Sequence, residues 1–447
     1  MTVEPPAVPA PGAGPGTDIG TGAAPPEQEA PARLRGGLFR HHDFRQLFIG
    51  DSLSQLGTQL TTLAIPILAV RVLDAGAFQM GLLAACEFLA FLVIGLPAGA
   101  WVDRWRKQRV LVTNDLIRAL ALGSLPLAWA FDVLTFPQML LVALVVGCCT
   151  VFFDVAYQSY LPDIVEPDDI GEGNAKLQAV QSIAMIGGPA TAGGLIKLIG
   201  APLTIGLDAV SFVWSAFWVR RIRHVDTPPP RETRRPLVVE VREGLAFVLK
   251  HPLLWRITAC TSISNLFSSL SSAMLVLFAL RLGLDAAQLG LGFGIGAVGG
   301  LLGALTVTKA TAWVGEGRII PLSTFLWMPA GFIMPLAGTV IEPLVAVISS
   351  MFLTTFGVVL YNVAQVSFRQ RLCPRPMLGR MNASIRFLVW GVMPIGGFLG
   401  GVIGHSFGLR SVFWIEAFGA IVAALPVLLS RLWGMRELPK ELDLLTE

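Results

Sequence analysis

The chain has 447 residues, 54% of them hydrophobic and only 14% charged, where an ordinary soluble domain carries about 25% charged residues. That deficit excludes a water-wetted surface over most of the chain and fits an all-α integral membrane protein whose outside faces lipid. The net charge is only +3, and the five cysteines sit in or beside apolar stretches without metal-ligand spacing, so no metal, other cofactor, disulfide framework or nucleic-acid partner is expected.

Residues 1–37 are rich in Pro, Ala and Gly with almost no large apolar residue, so a disordered tail is expected. It lacks the basic stretch and apolar core of a cleavable signal peptide. Windows of about 20 apolar residues predict spans near 46–72, 79–101, 110–131, 137–160, 175–197 and 201–221. A second set follows near 255–280, 287–309, 318–339, 343–366, 381–404 and 409–432. The result is 12 transmembrane helices in two six-helix halves, 38–222 and 253–433, with a basic linker at 223–252 and a tail at 434–447. Within the linker the Pro228–Pro230 run stops a continuous helix, while 236–250 has the spacing of a helix lying on the membrane surface.

An even span number with both termini inside puts alternate loops in the cytoplasm. Those loops carry the hairpin Gly99-Ala-Trp-Val-Asp103-Arg104-Trp-Arg106-Lys107-Gln-Arg109, the linker arginines, Lys309, Arg318 and four arginines between 369 and 380. The other side holds little beyond Arg71, Lys197, Arg281 and Arg410, an asymmetry that fits a multi-pass plasma-membrane protein with both termini cytoplasmic. The acidic stretch Asp163–Glu172 runs against the trend but weighs little in orientation.

The halves share a pattern. Asp154-Val-Ala-Tyr-Gln-Ser159 in the fourth span parallels Asn362-Val-Ala-Gln-Val-Ser367 in the tenth, and Asn174-Ala175 parallels Asn382-Ala383 at the same separation. Two halves with one in-out sense form a parallel repeat, with substrate held between them near the midplane. Charges inside spans are functional candidates by default. Asp115 and Arg118 share a face of the third span and can neutralise each other, either as a structural pair or as one that exchanges partners. Asp154 has neutral Asn362 at its repeat position, which argues against a need for its charge in folding. Asp51, with Gln55 one turn on, and Glu87 are candidates for proton or substrate coupling, as are Asp208 and, less so, Glu416. Arg386 in the eleventh span is placed to meet an anionic substrate or to pair with a carboxylate across the interface.

Gly294-Ile-Gly296-Ala-Val-Gly299 has the spacing of a dinucleotide loop but lies in a membrane span with no strand before it, so close helix packing is expected instead. No Walker loop, zinc-protease or serine-hydrolase motif occurs, so neither ATP-driven pumping nor enzymatic activity is expected.

The hairpin from Gly99 to Arg109, together with Phe152–Pro162, Asn174-Ala175, Gly188-Pro189, Leu207–Phe212, Tyr361–Gln370 and Gly379–Asn382, resembles the transmembrane-effector and enterobactin-exporter-like branch of the major facilitator superfamily over about residues 38–435. The resemblance implies that the hairpin is a conformational latch. Gly99 would permit close packing and Asp103 would meet the positive amino-terminal end of the eleventh helix. Arg104, Lys107 and Arg109 would contact acids and lipid phosphates, and Arg106 stands where the family often has a second glycine. Gly188, Pro189, Gly193 and Gly194 resemble the fifth-helix motif of proton-coupled antiporters, although three residues rather than two separate the proline from the glycine pair.

The expected function is secondary transport, with export of a small amphipathic compound such as a drug, siderophore or secondary metabolite in exchange for protons. The transporter is expected to act as a monomer, with lipid as its surroundings. A nutrient or lipid importer on the same fold is one alternative, and a transporter-derived receptor or assembly protein without flux is another.

Overall fold

A chain in lipid must satisfy its backbone within each span, and helices do so. A computed structural model describes residues 37–102, 104–166, 169–224, 237–373 and 378–436. The amino-terminal tail up to residue 36, Asp103, residues 167 and 168, the linker from 225 to 236, residues 374–377 and the last eleven residues lie outside the described residues. The first half comprises α1 (His42–Val72), α2 (Ala77–Val102), α3 (Lys107–Ala130), α4 (Phe136–Ile164), α5 (Ile170–Ile199) and α6 (Ala201–Arg220). The linker contributes α7 (Leu237–Lys250), whose Val248 is buried against α8 (Leu254–Arg281) and neighbouring helices. The second half continues with α9 (Ala286–Val314), α10 (Ile319–Ala330), α11 (Pro343–Leu372), α12 (Leu378–Trp390), α13 (Met393–Phe407) and α14 (Leu409–Leu428). Twelve spans among the described residues are long and apolar enough to cross a membrane.

Two spans depart from the simple hydropathy pattern. The ninth stops at Ala330 and ends in a 3-10 turn at Met334–Leu336, because Pro329 and Pro335 carry no N–H to continue the ladder. The eleventh is not continuous but is split into α12 and α13 at Gly391 and Val392. Pro394 cannot donate to the Trp390 carbonyl and its ring crowds that oxygen. Side chains from α8 occupy carbonyls around the break: Ser262 Oγ donates to Leu388 O (3.1 Å), Asn265 Nδ2 to Val389 O (2.9 Å) and Ser269 Oγ to Met393 O (2.7 Å).

The duplication is visible in the packing. In the first half α1 packs on α5 and α6, α3 on α4 and α6, and α2 on α4. In the second, α8 packs on α13 and α14, α10 on α11 and α14, and α9 on α11. The turns agree as well. Gly200 (φ 84°) joins α5 to α6 and Gly408 (φ 86°) joins α13 to α14, each in a left-handed conformation that a side chain would strain.

The halves meet through α2 on α13 and α5 on α9. These crossings lie at the end opposite the α2–α3 hairpin, where Gly81 abuts Gly401, Gly193 abuts Ala286, and Gly290 abuts Pro189. Small residues let helix backbones approach this closely. A single apolar core containing Leu63, Leu83, Met274, Leu289 and Phe413 seals both halves at that end. Toward the hairpin end the cores separate. One is drawn wholly from residues 38–222 and another wholly from 248–432. Among the described residues, nothing stands within 4 Å of where a Cβ would sit at Gly95 or Gly99 of α2. The molecule therefore has a cleft between its halves, closed at one end and open at the basic end.

Replacing Gly290 with leucine would drive a side chain into the Pro189 carbonyl, an overlap that costs about 1–3 kcal/mol. The expected result is an unsealed α5–α9 crossing. A cysteine at Ala190, which faces Gly294 there, should then gain reactivity toward a membrane-impermeant maleimide. Unchanged reactivity would show that the crossing does not make the seal.

Candidate functional site

The site begins with a buried charge. Asp115 and Arg118 stand one turn apart on α3, with 0% and 5% of their surface exposed. Arg118 Nη2 donates to Asp115 Oδ1 at 2.5 Å. The guanidinium lies between two rings, Phe153 of α4 at 4.2 Å and Phe212 of α6 at 4.3 Å, where ring quadrupoles favour a cation. Ser215 of α6 faces Asp115. The pair thus ties α3 to both neighbours.

Three further carboxyls surround Arg118. Asp51 on α1 is buried, accepts from Gln55 Nε2 at 3.0 Å, and has the Tyr157 hydroxyl of α4 beside it. Asp208 on α6 is also buried, accepting from Thr61 Oγ1 and, at 2.9 Å, from Ser211 Oγ. Asp154 on α4 is half-buried. Arg118 acts electrostatically on all four carboxyls. One guanidinium cannot neutralise four carboxylates where water is scarce, so the net charge of the cluster depends on how many protons it holds.

Asp154 is also where the cluster meets the other half. Arg386 of α12 acts on it, and Arg386 Nη1 donates to Gln158 Oε1, one turn along α4, at 3.4 Å. The repeat position in the second half has no charge, and Asn362 there accepts from Gln365 Nε2 at 3.3 Å. Asp51, Asp115, Arg118, Asp154 and Arg386 are therefore one assembly. Asp208 belongs to it as well, through partners on α1 far away in sequence.

Glu87 stands apart. It lies deep in the bundle yet is open to water, with Gly147 of α4 packed on its backbone carbonyl. Glu416 of α14 turns inward to Ser271 of α8. No group of His, Cys, Asp or Glu among the described residues has the geometry to hold a metal ion.

The hairpin gives a mixed picture of the expected latch. Lys107 Nζ meets Asp163 Oδ2 at 2.6 Å and donates to Ser159 O at 2.9 Å, so the last turns of α4 are the counterpart of the hairpin. Gln108 Nε2, which sequence reasoning overlooked, donates to Val219 O (3.0 Å) and Ile222 O (2.8 Å) and so satisfies the end of α6. Arg104 and Arg109 are exposed. Among the described residues, nothing stands within 4 Å of where a Cβ would sit at Gly99. Asp103 lies outside the described residues.

On α5, a Cβ at Gly188 would strike Gln59 of α1 and one at Gly193 would strike Ala286, whereas at Gly194 it would meet nothing among the described residues. Pro189 lends its carbonyl to the contact with Gly290. Gly188 thus makes room for α1 within the first half, and Gly193 for α9 at the closed end. There Lys197 Nζ also reaches Asp285 Oδ2 across the halves at 3.4 Å, with side chains 64% and 41% exposed. Asp285 additionally caps α9, accepting from Gln288 N at 2.8 Å, and that amide holds its carboxyl below the ordinary carboxylate range. Lys197→Ala should therefore cost only a few tenths of a kcal/mol, and Asp285→Ala about 1 kcal/mol for the lost cap. The cap is at full strength above the ordinary carboxyl pKa of about 3.9 and fades as pH falls through the lowered native value. Melting curves of both variants at pH 7 and pH 3 test this, and equal losses for the two at pH 7 would contradict it.

A family model described as Major Facilitator Superfamily matches residues 47–395. The multidrug efflux pump Tap of Mycobacterium tuberculosis is 26% identical over 415 residues, which cover 87% of this chain and 92% of that protein. The enterobactin exporter EntS of Salmonella typhi is 24% identical over 361 residues, covering 77% and 81%. Among solved structures, a bacterial homologue of the iron transporter ferroportin in its inward-facing state matches with a TM-score of 0.71 at 18% identity, covering 88% of this chain and 98% of that one. A bacterial ferroportin homologue in its outward-facing state gives 0.57 at 18% identity, covering 88% and 99%. With the repeat, the closed end and the cleft in hand, the chain belongs to the major facilitator superfamily and is a multi-pass membrane transporter of that fold.

Proposed function

We propose that the chain is a proton-coupled exporter of a small amphipathic compound, working by alternating access as a monomer in the plasma membrane. Its basic end and both termini face the cytoplasm, as the positive-inside rule favours, so the cleft is the inward-open state. The observation that carries the reading is the cluster of four carboxyls around Arg118, connected to Arg386 of the other half through Asp154. A change in proton occupancy there alters the attraction between the halves, which couples protonation to the rocking motion. The efflux activity named for the Tap and EntS relatives supports the outward direction. Asp51 and Asp154 carry the proton in this scheme, Asp115 with Arg118 supports them, and Lys107 with Asp163 belongs to the latch.

The test is uptake into inside-out vesicles with an acidic lumen, across a panel of amphipathic compounds. Accumulation that collapses with the proton gradient supports export by exchange. Accumulation only when the gradient is reversed would favour an importer, and a flat response across the panel would count against transport.

A further inference from the structure

Glu87 is a deep carboxylate that the Arg118 cluster leaves out. It stands mid-way along α2, on a face turned about 120–160° from Leu89 and Val93, which are exposed on the outer side of the helix. One turn toward the basic end, on the same face, Phe91 meets Trp390 of α12 with 4.9 Å between ring centroids. About two turns in the other direction, Gly81 abuts Gly401 and the cleft is sealed. With Gly147 of α4 against its carbonyl, the Glu87 side chain lies between α4 and the opposite half, at the blind end of the cleft. It is open to water and, among the described residues, makes no hydrogen bond or ion pair. Arg386 of α12 stands 5.6 Å from the Trp390 ring centroid but is directed to Gln158 and Asp154.

An acid without a counter-charge beside two π faces selects for a cation with apolar substituents, because the ring faces and the carboxylate attract the same sign of charge. A neutral guest would leave the carboxylate unmatched, and an anion would be repelled by it. We propose that Glu87, Phe91 and Trp390 form a recognition subsite for the head of an aromatic or lipophilic organic cation at the closed end of the cleft. The proposal rests on reading the cleft as the transport path and names the class of cargo it admits.

The test is equilibrium binding of labelled tetraphenylphosphonium to the purified full chain in lipid nanodiscs, with isosteric tetraphenylborate as competitor. Wild type should bind the phosphonium saturably, and the borate should not displace it. Glu87→Gln should weaken binding about tenfold or more, Glu87→Asp should stay within about threefold of wild type, and Phe91→Leu or Trp390→Leu should lose about two- to fivefold. Unchanged melting and elution profiles separate these losses from misfolding. The proposal is overturned if Glu87→Gln binds as wild type does, if the borate competes as well as the phosphonium, or if wild type shows no saturable binding. Binding needs no gradient, so the two readings fail separately. Glu87-dependent binding without vesicle flux sinks the export reading alone, and flux without Glu87-dependent binding sinks this subsite alone.

Discussion

Arg118→Leu is expected to destabilise the protein by about 3–5 kcal/mol, enough to prevent its accumulation in the membrane. The loss has two parts. Asp115 is fully buried beside Arg118, so removing the guanidinium strands a carboxylate where neither water nor another cation can reach it. The rings of Phe153 and Phe212 also lose the cation they enclose. Breaking one side of a buried pair costs more than removing both, so Asp115→Leu combined with Arg118→Leu should recover much of the loss. Arg118→Lys should fall between, because an ammonium cannot stack its plane between two rings. Thermal unfolding of the single and double variants in detergent reads the coupling directly. A double variant as damaged as the sum of its parts would contradict the pairing.

Asp154→Asn should have the opposite profile, with gradient-driven transport reduced about tenfold or more while stability changes by under about 1 kcal/mol. The repeat supplies the reason for tolerance, since Asn362 occupies the matching place in the second half. The geometry supplies the reason for the functional loss. Asp154 is the carboxyl that feels both Arg118 within its own half and Arg386 from the other. With an amide there, the link between protonation and the approach of the halves is cut. Binding at the blind end of the cleft is untouched.

Much of this architecture was legible in the residues because lipid imposes simple rules on them. Long apolar windows gave the spans, and the Asp154 and Asn362 stretches announced the duplication that the paired turns at Gly200 and Gly408 then display. The positions of the candidate acids along their helices were equally readable. Their partners were not, since periodicity describes the face of a helix and not what the face meets. Nothing local says that Thr61 reaches Asp208, 147 positions away, or that Phe153 and Phe212 converge on Arg118. The break in the eleventh span was signalled by Pro394, yet its tolerance depends on three α8 side chains that hydropathy counts as mildly polar.

In the proposed mechanism protons drive the halves through the Asp154 assembly. It is tested most directly by comparing wild type and Asp154→Asn in inside-out vesicles, in gradient-driven uptake and in gradient-free exchange of the same labelled compound. The variant should lose the first and keep the second, because the path and the cleft survive while the coupling does not. Gradient-driven uptake by Asp154→Asn at the wild-type rate would contradict it.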